Sequence, residues 1–150
     1  MVKTLKRTVF VGEFRHAVDE KNRLAIPAKW RAAASGTQEF YVLPLPGSHL
    51  YVLPESAMEK MLEKADDISI GEYERRNALR IIAGGGHATP VDKQGRILLT
   101  EKLRKHAGIQ SDAVLVGALK GFEIWSPAQY EKINKSSTAE FATSAKALGI

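Results

Sequence analysis

A pattern of apolar and polar positions occurs twice in this 150-residue chain, once over residues 18–31 and again over residues 91–104. In each copy an apolar residue precedes a polar tetrapeptide, an Arg follows it, and apolar residues then resume. Val, Asp, Arg, Lys and Arg recur at matching positions of the two copies. A repeated motif of this kind predicts two related structural units.

Each polar tetrapeptide predicts a tight reversal between two strands. Asp19 and Asp92 can accept hydrogen bonds from backbone amides two residues further on, as in an Asx turn. Gly95 adopts a positive φ freely, and Asn22 does so at low cost. We therefore predict two Asp-x-x-(Asn/Gly)-Arg turns, each with its Arg leading into the next strand.

The remaining periodicity predicts the other elements and four segments. We predict strands at 8–18, 23–26, 40–43, 50–53, 87–91, 96–99, 114–116 and 122–125, and helices at 28–35, 55–65, 69–83, 101–107 and after Ser126. The segments are a first repeat with its closing helix (8–68), a linker helix and Gly hinge (69–85), a second repeat (86–135) and a C-terminal tail (136–150).

Composition argues against several functional classes. The chain has no Cys, so it has no disulfide framework, no thiolate nucleophile and no cysteine zinc site. No apolar run approaches the roughly 18–20 residues of a membrane helix, and we expect a cytosolic protein. The four His are scattered, and the glycines at 84–86 follow a predicted helix rather than a strand. We therefore expect no metal, no cofactor and no phosphate-cradling loop.

The two motif carboxylates are poor candidates for acid–base catalysis. Asp19 and Asp92 each have an Arg four residues away, which would lower the pKa of the carboxyl group. We expect that the protein is not an enzyme. Its net charge is +5, with Lys and Arg concentrated on the two motifs, and clustered cations favour phosphate-rich partners. Charge by itself is equally consistent with a solvated basic face.

The chain resembles the MraZ family of bacterial transcriptional regulators. The likeness rests on two Asp-x-x-x-Arg copies in register, each in a strand–turn–strand–helix unit, and covers roughly residues 8–135. Segments 74–76, 103–108 and 122–125 agree as well. Asn22 stands where the family often has Gly, Thr100 stands where Pro is common, and the first seven residues form a basic extension.

The resemblance implies an α+β fold of tandem swapped-hairpin, AbrB-like β-barrel units with short helices, related by a pseudo-two-fold axis. MraZ-like proteins assemble into rings. They bind short direct repeats of double-stranded DNA in the promoter of the division and cell-wall gene cluster that contains their own gene, and they repress it. The resemblance thus implies a cytoplasmic, nucleoid-associated repressor and ring-shaped homo-oligomer, with no membrane partner and no small-molecule substrate.

The resemblance also assigns the DNA-binding face to the motif arginines. Arg23, supported by Lys21 and Arg15, would enter the major groove, where an Arg bidentate to guanine is the commonest specific contact. Arg96 and Lys93 would belong to the same surface, and nearby cations would contact phosphates. Spacing alone leaves open a structural role, in which Arg23 and Arg96 each pair with the Asp of their own turn.

A protein of another class is the alternative. Single AbrB-type antitoxins grip a toxin with a tail, and residues 135–150 could hold a protein partner in the same way. The protein would then be antitoxin-like or an adaptor.

Overall fold

The computed structural model describes residues 9–33 and 39–150, which contain eight strands and six helices. The predicted start of the first strand at residue 8, the predicted end of the first helix at 34–35 and the basic extension lie outside the described residues. The α+β class is confirmed. The elements are β1 (Glu13–Ala17), β2 (Arg23–Ala25), α1 (Ala28–Ala33), β3 (Glu39–Leu45), β4 (His49–Pro54), α2 (Glu55–Asp66), α3 (Tyr73–Gly85), β5 (His87–Pro90), β6 (Arg96–Leu98), α4 (Glu101–Ala107), β7 (Asp112–Gly117), β8 (Phe122–Trp125), α5 (Pro127–Ala139) and α6 (Phe141–Ala147).

The main sheet exchanges strands between the two repeats. Its order is β1-β7-β8-β4-β3-β5, and every neighbouring pair is antiparallel. The first strand of the first repeat therefore pairs with β7 of the second, and β5 of the second repeat pairs with β3 of the first. Strands β1, β3 and β4 of the first repeat correspond to β5, β7 and β8 of the second. When each strand is replaced by its counterpart, the order is the same from either end of the sheet. A pseudo-two-fold axis therefore passes between β8 and β4. The exchange is the one that a swapped-hairpin fold implies.

A separate two-stranded ribbon, β2 with β6, packs against the main sheet. Leu24 lies opposite Ile97 in the ribbon, and both side chains are buried. They belong to one core with alternate residues of the main sheet: Phe40, Val42, Leu50, Val52, Ala113, Leu115, Phe122 and Ile124. Alternation places one face of each strand in this core.

The strands form an open sheet and a ribbon, not the closed barrel that was part of the predicted fold. The edge strands β1 and β5 lie at opposite ends of the six-stranded sheet. The ribbon strands have three residues each. Val18, which directly follows β1, forms an isolated antiparallel bridge with Leu24 of the ribbon. The ribbon is thus too short to join the two edges by continuous pairing.

Capping side chains fix the helices of the second repeat where the sequence predicts them. The Thr100 hydroxyl accepts the N–H of Leu103 at 3.2 Å, and the Ser126 hydroxyl accepts the N–H of Gln129 at 3.2 Å. Gly108 ends α4 in the left-handed conformation, with φ 64°. These hydroxyls satisfy amides that have no partner within the helix.

Helix α3, predicted as a linker helix, begins later than predicted. The Glu72 carboxylate accepts the N–H of Ser69 at 2.9 Å, as a capping box requires, but the helix itself starts at Tyr73. The backbone between 69 and 72 is therefore a turn, and the prediction of a helix from residue 69 is wrong at that end. In the C-terminal part of the chain, two helices follow the last strand, and the second of them, α6, ends at Ala147.

Candidate nucleic-acid interface

Turn 1, residues 19–23, is built around the carboxylate of Asp19. Its Oδ1 accepts the backbone N–H of Lys21 at 2.9 Å and that of Arg23 at 2.8 Å. The backbone N–H of Asn22 donates to the carbonyl of Asp19 at 3.0 Å, and Asn22 has φ 64°. The Asx-type turn predicted from the sequence is confirmed.

Turn 2, residues 92–96, repeats this geometry. Oδ1 of Asp92 accepts the N–H of Gln94 and that of Arg96, both at 2.9 Å. Gly95 donates its N–H to the carbonyl of Asp92 at 2.9 Å and has φ 78°. Two segments with the same Asp-x-x-(Asn/Gly)-Arg pattern thus fold into the same turn.

Both motif arginines bond to the Asp of their own turn. Nε of Arg23 donates to Oδ2 of Asp19 at 3.1 Å, and Nε of Arg96 donates to Oδ2 of Asp92 at 2.9 Å. The pairing that the sequence left open is therefore present in both turns. The side chain of Arg23 is 33% exposed and that of Arg96 is 25% exposed, so neither is sealed inside the protein.

The ribbon holds the two turns side by side. Ile26 donates its N–H to the carbonyl of Gly95 at 2.9 Å, and Leu99 donates its N–H to the carbonyl of Asn22 at 2.8 Å. Nη1 of Arg96 also lies 3.3 Å from Oδ2 of Asp19, an ion pair between the two repeats. The two guanidinium groups therefore share one surface.

The electrostatics keep both turn carboxylates ionised at neutral pH. The backbone N–H of Arg23 is the largest influence that lowers the pKa of Asp19 below its ordinary 3.8, and the N–H of Arg96 does the same for Asp92. Partial burial opposes this shift, and the Arg side chains add to it. Hydrogen bonds to a carboxylate favour its charged form. The prediction that these groups are poor proton donors agrees with the direction of both shifts.

The structure brings together four of the five cations predicted at the interface. Arg23 and Lys21 belong to turn 1, and Arg96 and Lys93 belong to turn 2, with both lysines exposed. Arg15 instead lies on β1. Its guanidinium is 3.8 Å from the carboxylate of Asp112 on β7, and it lines a surface cavity between β1 and α5.

Two further arginines contact the turns, and the prediction of site residues missed them. Arg104 on α4 donates from Nη1 to Oδ1 of Asn22 and from Nη2 to the carbonyl of Gln110, the latter at 2.6 Å. Arg31 on α1 lies over Gly95, where an added Cβ would overlap its guanidinium. Arg31 and Arg104 occupy matching positions in the two motif copies, and this was the available signal.

Other kinds of site have little support in the described ranges. Within residues 9–33 and 39–150, no cluster of His, Asp and Glu could hold a metal ion. No helix in the same ranges combines the length and the apolar character that crossing a membrane requires.

Comparison with known proteins identifies the family. The family model described as "MraZ protein, putative antitoxin-like" matches residues 9–81 and again residues 82–149. The chain is 33% identical over 133 residues to the transcriptional regulator MraZ of Oenococcus oeni, covering 89% of this chain and 92% of that protein. It is also 33% identical over 142 residues to the transcriptional regulator MraZ of Lachnoclostridium phytofermentans, covering 95% and 99%.

Proposed function

The chain belongs to the MraZ family of transcriptional regulators, and from this premise we propose that it is a sequence-specific DNA-binding repressor. Its targets are direct repeats in the promoter of the division and cell-wall gene cluster, which it binds in the cytoplasm, on the nucleoid, as a ring-shaped homo-oligomer. The observation that carries the proposal is the pair of turns on one ribbon, each with a partly exposed Arg. The family is one of regulators, so the expectation that the protein is not an enzyme is confirmed.

Arg23 is the base-reading residue in this proposal. Its Nε is fixed by Asp19, which orients the flat guanidinium. Among the described residues, neither Nη atom of Arg23 donates a hydrogen bond to the protein. Two donors without a protein partner match O6 and N7 of guanine, a contact worth about 1–3 kcal/mol against the wrong base. Arg96 is more constrained, since its Nη1 already contacts Asp19.

The lysines on the turns set the position of the protein on the duplex. Lys21 and Lys93 are exposed beside the two arginines, and such side chains contact phosphate oxygens without reading sequence. Binding should therefore weaken as salt increases, because each neutralised phosphate releases counterions.

Assembly into a ring would compensate for the small reach of one subunit. A single pair of turns spans only a few base pairs, whereas several linked subunits on several direct repeats gain affinity through effective concentration. Large apolar side chains on or beside the helices support assembly, because they are exposed in the isolated chain: Ile70 at 87%, Tyr73 at 72%, Phe141 at 71% and Leu148 at 80%. Burial of such side chains against a neighbouring subunit would be favourable.

The test replaces Arg23 with Ala and measures binding to the protein's own upstream DNA and to a scrambled copy by fluorescence anisotropy. We expect the affinity for the promoter to fall to that for the scrambled copy, while circular dichroism and ring size by light scattering stay native. Lys64→Ala, an exposed change on α2, is the matched loss of charge and should leave the preference intact. Retention of promoter preference by Arg23→Ala would refute base reading by this residue.

A protein partner is the second candidate function. The matching family model carries the words "antitoxin-like", and Phe141 on the C-terminal helix α6 and Leu148 directly after it are exposed. Such a surface suits a protein partner bound through the tail. The test is a pull-down from the native host: a stoichiometric partner that is lost on deletion of residues 141–150 favours this function over DNA binding.

A further inference from the structure

We propose that the equivalent arginines Arg31 and Arg104 have different tasks: Arg104 holds turn 1 in its binding shape, and Arg31 contacts a DNA phosphate beside turn 2. The proposal rests on the proposed function, because it assigns roles within that DNA-binding surface. It names one positioning residue and one binding residue in addition to the motif arginines.

Arg104 crosses from the second repeat to the turn of the first. Its two terminal nitrogens are occupied, one by Oδ1 of Asn22 and one by the carbonyl of Gln110. Its Nε is buried and has no acceptor among the described residues. Both terminal nitrogens are thus engaged by the protein, which leaves this guanidinium fewer free donors for DNA than that of Arg31. The contact instead restrains Asn22, the residue that gives turn 1 its positive φ.

Arg31 makes the reciprocal crossing, from the first repeat to the turn of the second, with a different outcome. Gly95 offers no side-chain acceptor, and the guanidinium lies directly on its backbone. Arg31 is exposed, and its side chain forms no hydrogen bond or ion pair with any residue the structure describes. Its planar set of donors is therefore available at the protein surface beside turn 2. Such a fork matches the geometry of a phosphate group.

One sequence difference between the repeats accounts for this divergence. Asn22 supplies an acceptor that draws Arg104 inward, while Gly95 supplies space that lets Arg31 lie flat over the turn. Arg104 thus restrains turn 1, which contacts a base edge, and Arg31 gives turn 2 an additional cation for contact with the DNA backbone. The two halves of the surface contribute differently to recognition.

The experiment compares Arg104→Met, Arg31→Met and the control Lys64→Met in the full-length protein. Affinities for the promoter and for scrambled DNA are measured at several salt concentrations. For Arg31→Met, we expect both affinities to fall and the slope of log K against log salt to shrink by about 0.9, the value for one lost phosphate contact. For Arg104→Met, we expect an unchanged slope and a roughly tenfold smaller preference for the promoter, in keeping with one lost charged hydrogen bond. Lys64→Met should change neither quantity.

Asn22→Gly provides a second route to the same contact. Glycine tolerates the φ of 64° at this position, so the change removes the acceptor without straining the turn. It should reduce the promoter preference as much as Arg104→Met does, and the double variant should lose no more than either single variant. If Arg104→Met does not fold, Asn22→Gly carries the test by itself.

Three results would overturn the inference: an equal loss of slope in Arg31→Met and Arg104→Met, an unchanged slope in Arg31→Met, or additive losses in the double variant. Failure of the proposed function is a separate result, because the unmodified protein would then not distinguish the promoter from scrambled DNA. If the unmodified protein discriminates and all these variants match it, this inference alone is wrong.

Discussion

Replacing Trp30 with Phe tests how the segment before β1 is anchored to the body of the protein. Trp30 on α1 is 1% exposed and packs edge-on against Phe10 and Phe14, with ring centroids 5.6 Å and 5.1 Å away. It also lies 4.8 Å from the ring of Phe122 on β8. Its indole Nε1 donates to the carbonyl of Val11 at 2.9 Å. The variant keeps an aromatic ring but loses the donor and part of the volume.

The cost of this change follows from two losses. Phe is smaller than Trp by about 40 Å³, and at about 24 cal/mol per Å³ of cavity the unfilled volume costs about 1 kcal/mol. The lost hydrogen bond contributes a further net loss of about 1 kcal/mol. We therefore expect Trp30→Phe to lower the free energy of unfolding by about 2 kcal/mol. For a chain of this length that corresponds to a decrease in Tm of roughly 4–8 °C.

The assay is urea unfolding followed by far-ultraviolet circular dichroism at a fixed protein concentration, because any association between chains would change the apparent stability. Trp125→Phe is the matched control. Its Nε1 donates to Oε1 of Glu123 at 3.0 Å, but the Glu123 side chain is 31% exposed and can bind water instead. The control should therefore lose only about 1 kcal/mol. A Trp30→Phe variant as stable as the unmodified protein would refute this account of the anchor.

The other predictions concern a turn glycine and the partly buried phenol of Tyr130. Gly95→Ala and Gly108→Ala both place Ala at a positive φ, 78° and 64°, at a backbone cost of about 1–2 kcal/mol. Only at Gly95 does the new methyl collide with Arg31, so Gly95→Ala should also weaken DNA binding in the anisotropy assay, and equal DNA affinities would contradict this. Burial, with the hydrogen bond to Glu13, raises the pKa of Tyr130 to about 12. The native state therefore resists ionisation of this phenol, so its stabilising effect is complete below pH 10 and is lost as pH rises towards 12. The difference in unfolding free energy between the unmodified protein and Tyr130→Phe should shrink across that range, and a constant difference would contradict the argument.

Sequence predicted the parts of the site whose chemistry is local. An Asp that bonds amides two and four residues ahead, followed by a residue that accepts positive φ, is contained within five positions, so both turns were predictable. The same holds for the caps at Thr100 and Ser126. The start of α3 was not, because Ser69 and Glu72 suit either a helical cap or the turn that precedes Tyr73.

The alternation of apolar and polar residues could not predict contacts between residues that are distant in the sequence. Alternation of apolar residues shows which face of a strand is buried, but not which strand lies beside it; the exchange of β1 and β5 was implied by the family resemblance. The contact between Arg104 and Asn22 spans 82 positions of sequence. Nothing near either residue indicates it, and only the matching positions of Arg31 and Arg104 in the repeat could have suggested where to look.

The pseudo-two-fold arrangement also changes what a single mutation can do. In a symmetric dimer of one-repeat chains, any substitution in a turn would appear twice, and the two halves would stay identical. Here both halves belong to one polypeptide, so residues 22 and 95 are encoded separately and can differ, as Asn22 and Gly95 do. A substitution in one turn therefore leaves the other turn unchanged. Because the two repeats lie in one chain, one half of the surface can acquire a different role while the other half keeps the same chemistry.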